Sequence, residues 1–346
     1  MKILYDIRPY KPEDELQLLE LVRKTPIKGT FTFINEKKRF LDRANLYSDN
    51  KCFVVELEGK IIGVCCAATK NTKINGKTRQ IGYVFDMRVD PDYRGQRIAT
   101  NLLLEIGGAM IAEGVDLFYV LIDDRNIITN NMFTNVKAEA EIISPLYLGL
   151  FPIYKREMVL PDEIKAIKIP IDDISQYLHQ KHKNDNFYTK VNAIFDSPCY
   201  FGSYSISTSN KTKFSIWDEE NIRKERIIGV PLKYRILDKI FALISPIKKL
   251  PRIPKENDYY RTLYIFNIES DSPRNLNLAL KLINNLAFDQ NYNLVIFPLI
   301  PDPDNFLFDI IKKKAFSMMK MNIVGLKLID LEFDPSKKIY FDIRDI

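Results

Sequence analysis

The fold is decided by residues 83–104, which read Tyr83-Val-Phe-Asp-Met-Arg-Val-Asp-Pro-Asp-Tyr-Arg-Gly-Gln-Arg-Ile-Ala-Thr-Asn-Leu-Leu-Leu104. The apolar, β-favouring residues up to Val89 predict a buried strand, and Pro91 ends it because proline cannot donate to a central ladder. From Ile98 onward apolar residues recur at helical spacing, so a helix begins within or just after residues 94–97. The stretch therefore predicts a strand, a tight basic turn and a long helix.

The turn between this strand and this helix has the chemistry of an anion site. The first amides of a helix have no intrahelical partners, and the helix dipole favours negative charge there. Gly95 permits a tight turn, while Arg94 and Arg97 add positive charge. We therefore expect a diphosphate at this turn. The other reading is an ordinary strand and helix joined by a solvated basic turn.

This stretch resembles motif A of the GCN5-related N-acetyltransferases (GNAT). The signature of that motif is Val-x-Pro, two residues, then Arg/Gln-x-x-Gly-x-Gly/Ala. Four positions match it, namely Val89, Pro91, Arg94 and Ala99. The central glycine of the signature is Arg97 in this chain, a departure in the tightest part of the loop for which Gly95 partly compensates.

The resemblance implies that acetyl-CoA is the cosubstrate and lies between the strand ending at Val89 and a strand over residues 116–123. The pantetheine arm and the acetyl carbonyl would be held by backbone groups of Met87, Arg88 and Val89. The pyrophosphate would be held by the amides of Arg94, Gly95, Gln96, Arg97, Ile98, Ala99 and Thr100. Asn126 matches the asparagine with which the family binds the pantetheine arm, and its other reading is a helix N-cap.

A second departure falls in the helix predicted over residues 126–133. The Leu-Tyr pair of the family is Met132 and Phe133 here. In the family, the tyrosine is thought to return a proton to the leaving thiolate, and phenylalanine cannot donate one. Because the coenzyme A thiolate is a good leaving group, the change weakens catalysis without excluding it. Phe133 stays an expected contact of the cosubstrate.

The acceptor amine must also lose a proton. A lysine amine has a reference pKa of about 10.4, so a base or a water relay is needed at neutral pH. The candidate bases are Asp86 and Tyr83 on the strand and Asp123 at the end of the next one, and Asp86 is favoured. The other reading of Asp86 is a structural carboxylate paired with an arginine such as Arg88 or Arg125.

The resemblance implies an α/β (α+β) fold with a mixed central sheet flanked by helices. The family order β-α-α-β-β-β-α-β-α-β would be complete by about residue 150, with a hairpin at Glu58-Gly59-Lys60 in which Gly59 takes a positive φ. At 346 residues the chain suits two domains. We predict a GNAT N-acetyltransferase domain over residues 1–160 and a second, degenerate GNAT-like domain over residues 161–346.

The second half repeats the pattern of the first half without its phosphate loop. Strands are predicted at 261–268 and 293–298, and helices at 272–286 and 305–313. The turn corresponding to the phosphate loop is Glu269-Ser-Asp-Ser-Pro-Arg-Asn275, whose carboxylates would repel a phosphate. Residues 160–180 read as a connector. The order of segments through most of the chain resembles the plant hookless-type acetyltransferases.

Composition indicates a soluble, cytoplasmic protein, because the apolar stretches are interrupted by charges and no signal-peptide pattern begins the chain. The four cysteines read as reduced core residues, and His179 and His182 as a solvated pair, so no metal is expected. Residues 223–255 contain ten basic and two acidic side chains. This segment suits an acidic partner such as nucleic acid, an acidic protein tail or an anionic membrane surface, or it is a solvated basic face. No base-stacking aromatic motif or zinc module is present, so specific nucleic-acid binding is not indicated.

The sequence thus predicts an N-acetyltransferase that moves the acetyl group directly from acetyl-CoA to a primary amine. The acceptor is left open between a protein lysine, a protein N-terminus and a small amine. The alternative is a non-catalytic GNAT-like binding or scaffold protein that uses its second domain and residues 223–255, an alternative supported by Arg97 and Phe133. The sequence also leaves open whether the protein is a monomer or a dimer.

Overall fold

The structure is a computed structural model that describes residues 4–126, 140–155, 157, 164–244, 253–302, 305–329, 331–334 and 336–346. The strands within these ranges are β1 (Asp6–Pro9), β2 (Ile27–Lys28), β3 (Thr32–Lys37), β4 (Asn50–Leu57), β5 (Lys60–Ile74), β6 (Lys77–Val89), β7 (Leu117–Asp123), β8 (Ala140–Pro152), β9 (Ala166–Ile169), β10 (Tyr200–Ile206), β11 (Ser209–Trp217), β12 (Arg223–Gly229), β13 (Tyr259–Tyr260), β14 (Thr262–Glu269), β15 (Leu294–Leu299) and β16 (Ser317–Lys327). The α-helices are α1 (Glu15–Lys24), α2 (Ile98–Ala112), α3 (Ile171–His182), α4 (Asn192–Phe195), α5 (Leu232–Ile244), α6 (Pro273–Asp289) and α7 (Phe306–Lys314).

Twelve of these strands form one mixed sheet in the order β1-β4-β5-β6-β7-β16-β8-β15-β14-β11-β10-β9. Most neighbours are antiparallel, but β6 pairs in parallel with β7, and β14 pairs in parallel with β15. The order of strands in the second half mirrors that in the first half. The other four strands form a small antiparallel sheet in the order β13-β12-β3-β2, which joins β3 of the first half to β12 of the second.

The two halves exchange their last strands at the centre of the large sheet. β16 pairs along the whole of β7, with Lys327 opposite Leu117 and Met321 opposite Asp123. β8 lies on the other side of β16 and pairs with β15 of the second half. Each half therefore completes the sheet of the other, and neither has a free edge at the junction.

Helices cover one face of each half. α2 buries Ile98, Leu102 and Ile106 against β5 and β6, and α6 buries Leu276 and Ile283 in the second half. The opposite face of the sheet belongs to one larger core that includes residues from both halves. The apolar periodicity of residues 98–111 therefore produces a helix whose buried stripe faces the sheet.

The structure confirms the predicted GNAT fold class and corrects two local predictions. Residues 160–180 are not merely a connector, because they include β9 and most of α3. The second helix of the expected order is also missing from the described part of the first half. Residues 32–37 form β3 instead, since they pair with β12 of the second half. The predicted domain boundary falls within residues 158–163, outside the described residues, and stays a prediction.

Because the halves exchange strands, we expect them to unfold in one cooperative transition. Trp217, the only tryptophan of the chain, lies fully buried in β11 and therefore reports on the second half. Its fluorescence and the far-ultraviolet circular dichroism of the whole chain should give coincident urea unfolding curves. Two separated transitions would show that the exchanged strands do not couple the halves.

Candidate active site

The first feature of the site is a bulge in β6. Between the pairs Cys66–Phe85 and Val64–Arg88, β6 advances by three residues while β5 advances by two. The extra residue is accommodated at Asp86, whose φ is +50°. A bulge bends its strand and increases the local twist, so β6 changes direction near residue 86.

β6 and β7 separate next to this bulge. Their parallel pairing covers Ile81, Gly82 and Tyr83 opposite Leu117, Phe118 and Tyr119. β6 then continues to Val89 and β7 to Asp123 without further paired positions, while β7 remains fully paired with β16. The backbone of residues 84–89 therefore faces a gap on its β7 side. Strand β6 ends at Val89, as the sequence predicted.

The basic turn leads directly into α2. Gly95 has a φ of +79°, and a Cβ placed on it would meet no atom within 4 Å, so the turn is open above this residue. Arg97 is the N-cap of α2 and has a φ of +61°. The position that is glycine in the GNAT signature thus has a left-handed conformation here, which an L-residue adopts at some energetic cost. The amides of Ile98, Ala99 and Thr100 begin the helix and point out of its N-terminus.

Two arginines add charge around these amides. The side chains of Arg94 and Arg97 are exposed, and Arg94 Nε lies 3.4 Å from the carbonyl oxygen of Val89. Open backbone at Gly95, free helical amides and two cationic side chains fit a diphosphate group. The cosubstrate contacts predicted at residues 87–89 and 94–100 therefore share one end of the gap.

The far side of the gap ends at Asn126. Its amide donates to the carbonyl oxygen of Asp123 at 2.8 Å, so the residue follows directly on the end of β7. Asp123 accepts from Arg125 at 2.7 Å, and the hydrogen bond from Arg125 lowers the pKa of the Asp123 carboxyl. Met132 and Phe133 lie outside the described residues.

Asp86, the favoured base, is held in a buried ion pair. Lys37 Nζ lies 2.5 Å from its carboxylate and Arg43 Nη1 lies 3.8 Å away, and these three side chains are less than 10% exposed. Burial alone would raise the pKa of Asp86. The charges of Lys37, Arg43 and Arg88 outweigh burial and hold that pKa well below its usual range. Such a carboxylate is a weak proton acceptor. This agrees with the structural reading of Asp86, although the paired cations are Lys37 and Arg43 and not Arg88 or Arg125.

Tyr83 contributes to a second buried network. Its hydroxyl donates to the backbone oxygen of Asp345 and accepts from Arg43 at 3.1 Å. Burial raises the pKa of Tyr83, so it too is a poor base at neutral pH. Beside it, Lys70 Nζ lies 2.8 Å from the Asp345 carboxylate and 2.6 Å from the Tyr119 hydroxyl. The network therefore fastens residues 342–346 onto β5, β6 and β7.

Comparison with known proteins matches the part of the chain that contains the bulge and the turn. Residues 17–135 match the family described as "Acetyltransferase (GNAT) family". By this match residues 17–135 are similar to a GNAT domain, the name used for them below. The match covers the gap between β6 and β7, the basic turn and α2, which is the region that the motif resemblance singled out.

Relatives extend the similarity beyond this GNAT domain. The chain is 21% identical over 279 residues to the "Probable N-acetyltransferase HLS1" of Arabidopsis thaliana, covering 70% of this chain and 68% of that protein. A structure of Saccharomyces cerevisiae N-myristoyltransferase with bound myristoyl-CoA has a TM-score of 0.60 at 12% identity, covering 94% of this chain and 80% of that one. A GCN5-related N-acetyltransferase from Kribbella flavida has a TM-score of 0.52 at 8% identity, over 94% and 72%.

The structural matches establish the fold, and the family match supports an acyl-CoA-dependent acyltransferase. The likeness to the hookless-type proteins predicted from segment order is confirmed at this low identity. The acceptor and the residue that takes its proton are not identified by these matches.

The second half contains the same bulge as the GNAT domain. β14 advances by three residues while β11 advances by two, and Asn267 has a φ of +49° at this point. β14 and β15 also pair for three residues only, from Thr262 to Tyr264. Tyr264 therefore corresponds to Tyr83, and Asn267 to Asp86.

The turn after β14 differs from the basic turn of the GNAT domain. Ser272 caps α6 by accepting from the amide of Asn275 at 3.2 Å, which occupies a donor that a phosphate would need. Asp271 accepts from the Asn275 side chain at 2.7 Å and from Ser209 at 2.7 Å. These hydrogen bonds lower the pKa of Asp271 to about 2, so the turn carries a negative charge at neutral pH. It is unsuited to a diphosphate.

The four cysteines and the two histidines considered in the sequence analysis lie in defined surroundings. All four cysteines are buried and free, as predicted. His182 is not simply solvated, because its Nδ1 lies 2.6 Å from Asp185, and His179 Nδ1 lies 3.2 Å from the Tyr188 hydroxyl.

In the described part of the chain, no helix has both the length and the apolar content that crossing a membrane requires.

We expect Asp86→Asn to lower the free energy of unfolding at pH 7 by roughly 3 kcal/mol, because Lys37 and Arg43 would stay buried without their counter-charge. The folded-state pKa of Asp86 is depressed, so its stabilising contribution is present above about pH 4 and is lost as the pH falls. The difference between variant and wild type in urea titrations should therefore be constant near neutrality and shrink in acid.

Asp116→Asn is the matched control for this substitution. Asp116 pairs with Arg79 at 3.3 Å, but both side chains are partly exposed. Its removal should cost less than about 1 kcal/mol. Equal losses for the two variants would contradict the buried ion pair.

Proposed function

We propose that the chain transfers an acetyl group from acetyl-CoA directly to a primary amine. The observation that carries this proposal is the gap between β6 and β7, which ends at a basic turn and at the N-terminus of α2. The gap supplies unpaired backbone for a thioester arm, and the turn supplies donors and charge for its diphosphate. Both lie within the segment that matches the GNAT family.

The proposed roles follow from position in this gap. Backbone groups of Met87, Arg88 and Val89 would hold the pantetheine arm and the acetyl carbonyl, with one N–H directed at the developing negative charge on the carbonyl oxygen. The diphosphate would lie on the amides of residues 94–100. Asn126 would hold the arm from the β7 side. The bound cosubstrate supplies the activated acetyl group and a good leaving thiolate.

In this proposal Asp86 and Lys37 position the backbone. The buried ion pair with Lys37 stabilises the charged form of Asp86, which is why the pKa of this carboxyl is depressed. The same ion pair holds the bulge at residue 86 in place. The same pairing makes Asp86 a weak candidate for taking the acceptor proton, and burial weakens Tyr83 in the same way. Both base assignments stay untested predictions, and the proposal needs a different proton acceptor.

We expect Arg94→Ala to weaken acetyl-CoA binding about tenfold, because losing one charge-assisted contact costs about 1.5 kcal/mol. Calorimetric titration of the full chain with acetyl-CoA measures this change. The matched control is Arg274→Ala, because Arg274 is exposed in the corresponding turn of the second half. That variant should bind acetyl-CoA with wild-type affinity.

The same titration decides between the enzyme and the scaffold alternative. Micromolar binding at one site, lost on Arg94→Ala, followed by acetylation of a primary amine would support the enzyme. Binding without transfer to any amine tested would favour a scaffold that keeps the cosubstrate as a ligand. Equal affinities of the two variants would overturn the assignment of the turn as the diphosphate site.

A further inference from the structure

A polar recess lies between β12 and the start of β14, on the second-half side of the site. The recess has a volume of about 380 Å³ when the part open to solvent is included. Its enclosed part has room only for a group of about the size of a water molecule. The lining residues that matter here are Glu219, Arg223, Glu225, Tyr260, Thr262 and Tyr264. None of them was singled out from the sequence as a site residue.

The recess is connected to the bulge through one pair of cross-strand neighbours. Arg223 on β12 is opposite Lys37 on β3, so their side chains lie on the same face of the small sheet. Lys37 holds Asp86 at 2.5 Å. The inner wall of the recess is therefore separated by a single residue from the strand that would hold the acetyl group.

Two of the three cations in the lining of the recess are in ion pairs, and the third, Lys224, lies 6.0 Å from the centre of the Tyr259 ring. Arg223 forms an ion pair with Glu219, and Arg261 lies 2.8 Å from Glu220. Within the described residues, the Glu225 carboxylate has one hydrogen bond, from Thr262 at 3.4 Å, and no ion pair within 4 Å. Glu225 is thus the carboxylate of the recess that has room for another partner.

One buried polar atom next to Glu225 also lacks a partner among the described residues. Asn35 is opposite Glu225 in the small sheet and is 5% exposed, yet its Oδ1 accepts no hydrogen bond from the described residues. An unsatisfied buried acceptor beside the weakly bonded Glu225 carboxylate favours a partner that donates hydrogen bonds.

Aromatic rings complete the chemistry. Tyr260 is the other cross-strand neighbour of Glu225, and Tyr264 lines the same recess. A carboxylate beside aromatic faces attracts ammonium groups by charge and by cation–π interaction, and the rings accommodate an apolar stem. The weakly bonded Glu225 carboxylate and the tyrosine rings therefore favour a cationic donor.

We propose that this recess binds the ammonium group of the acceptor, a primary amine on an unbranched apolar stem such as a lysine side chain, and that Glu225 takes its proton. This inference rests on the proposed function. An N–H bond breaks, the proton moves to a Glu225 oxygen, and the electron pair stays on nitrogen. As the C–N bond forms and the C–S bond breaks, the second proton leaves nitrogen and ends on the coenzyme A sulfur.

The electrostatic surroundings of Glu225 suit this role. Burial raises the pKa of Glu225 to about 7, with the Arg223 charge opposing the rise and the Glu219 charge adding to it. The other ionisable groups facing it are the hydroxyls of Tyr260 on β13 and Tyr264 on β14. The carboxyl therefore changes protonation in the neutral range, which suits a general base.

The test compares Glu225→Gln with Glu220→Gln in the full chain. Glu220 is the matched control because it lines the same recess but is paired with Arg261. Ligand-observed NMR titration with n-butylammonium at pH 8 should show saturable binding to wild type and to Glu220→Gln, and at least tenfold weaker binding to Glu225→Gln. Acetyl-CoA affinity should be unchanged in both variants, which also reports that they are folded.

The outcomes separate this inference from the proposed function. Absent amine binding with normal acetyl-CoA binding would overturn the recess and leave the transferase intact. Amine binding that requires Glu225, without acetyl-CoA binding, would overturn the transferase and leave an amine site. With n-butylamine as acceptor, Glu225→Gln should lower kcat about 100-fold and abolish the titration near pH 7. An unchanged pH profile would remove Glu225 as the base.

A second, independent observation concerns helix α5. One side of α5 packs Tyr234, Leu237 and Phe241 against the small sheet. The other side exposes a stripe of large apolar side chains, which are 40–80% exposed, namely Leu232, Ile236, Ile240, Leu243 and Ile244. A contiguous exposed apolar stripe of this kind marks an interaction surface.

The charge around this stripe identifies its partner. Lys233 and Lys239 flank the stripe on α5, within the segment that contains ten basic and two acidic residues. Nucleic acid would satisfy the charge but not the apolar stripe, and an acidic protein tail has the same shortcoming. Apolar side chains flanked by lysines are typical of helices that lie in the headgroup region of a membrane. We infer that α5 docks the protein on an anionic membrane surface.

Vesicle sedimentation of the full chain tests this inference. Vesicles with roughly one-quarter phosphatidylserine should bind the protein, and pure phosphatidylcholine should bind it at least tenfold less. The double variant Ile236→Ser/Ile240→Ser should lose binding. The control Ile142→Ser, which changes an isoleucine of β8 that is 62% exposed, should retain it. Equal binding to both vesicle types, or retained binding in the double variant, would overturn the inference.

Discussion

One extra residue in β6, held by the ammonium of Lys37, sets the geometry on which the rest of the site depends. Asp86 adopts a left-handed φ that favours glycine, and its carboxylate lies in the protein interior. Each of these features costs free energy, and the ion pair with Lys37 offsets both by fixing the side chain and neutralising its charge. Without the bulge, β6 would continue beside β7, and no backbone would face the gap.

The bulge ties the GNAT domain to the second half of the chain. Lys37 belongs to β3, which is held in place by β12 of the second half. β7, the opposite wall of the gap, is closed on its outer side by the exchanged strand β16. Both walls of the gap therefore rest on strands of the second half, β6 on β12 through Lys37 and β7 directly on β16. The second half is part of the scaffold of the site, whatever else it binds.

This dependence explains which features the sequence could predict. Residues 83–104 encode their strand, turn and helix locally, through an apolar run, a proline and a helical period, and these elements are where they were expected. The same holds for the hairpin at Gly59, whose φ is +78°. Local patterns of this kind do not depend on distant partners.

Features that arise from long-range pairing could not be read in the same way. β3 forms because Arg223–Gly229 offers it a partner, and the Lys37 contact of Asp86 follows from that pairing. α3 has only two buried apolar positions, Ile174 and Leu178, so its period is weak and its region read as a connector. Glu225 lies among basic residues in a stretch that contains no recognisable sequence motif. The acceptor side of the site is therefore the part that only the fold reveals.

The two halves of the chain differ at the bulge residue, at the tyrosine before it and at the turn after it. Both have the bulge, but Asp86 requires cations around it whereas the amide of Asn267 requires none. Both end their parallel pairing at a tyrosine, yet Tyr83 is enclosed by residues 342–346 while Tyr264 lines the polar recess. Ser272 and Asp271 make the corresponding turn of the second half unsuited to a diphosphate. In our proposal the second half instead supplies the acceptor wall, and this asymmetry of the halves is the physical basis for placing two substrates between them.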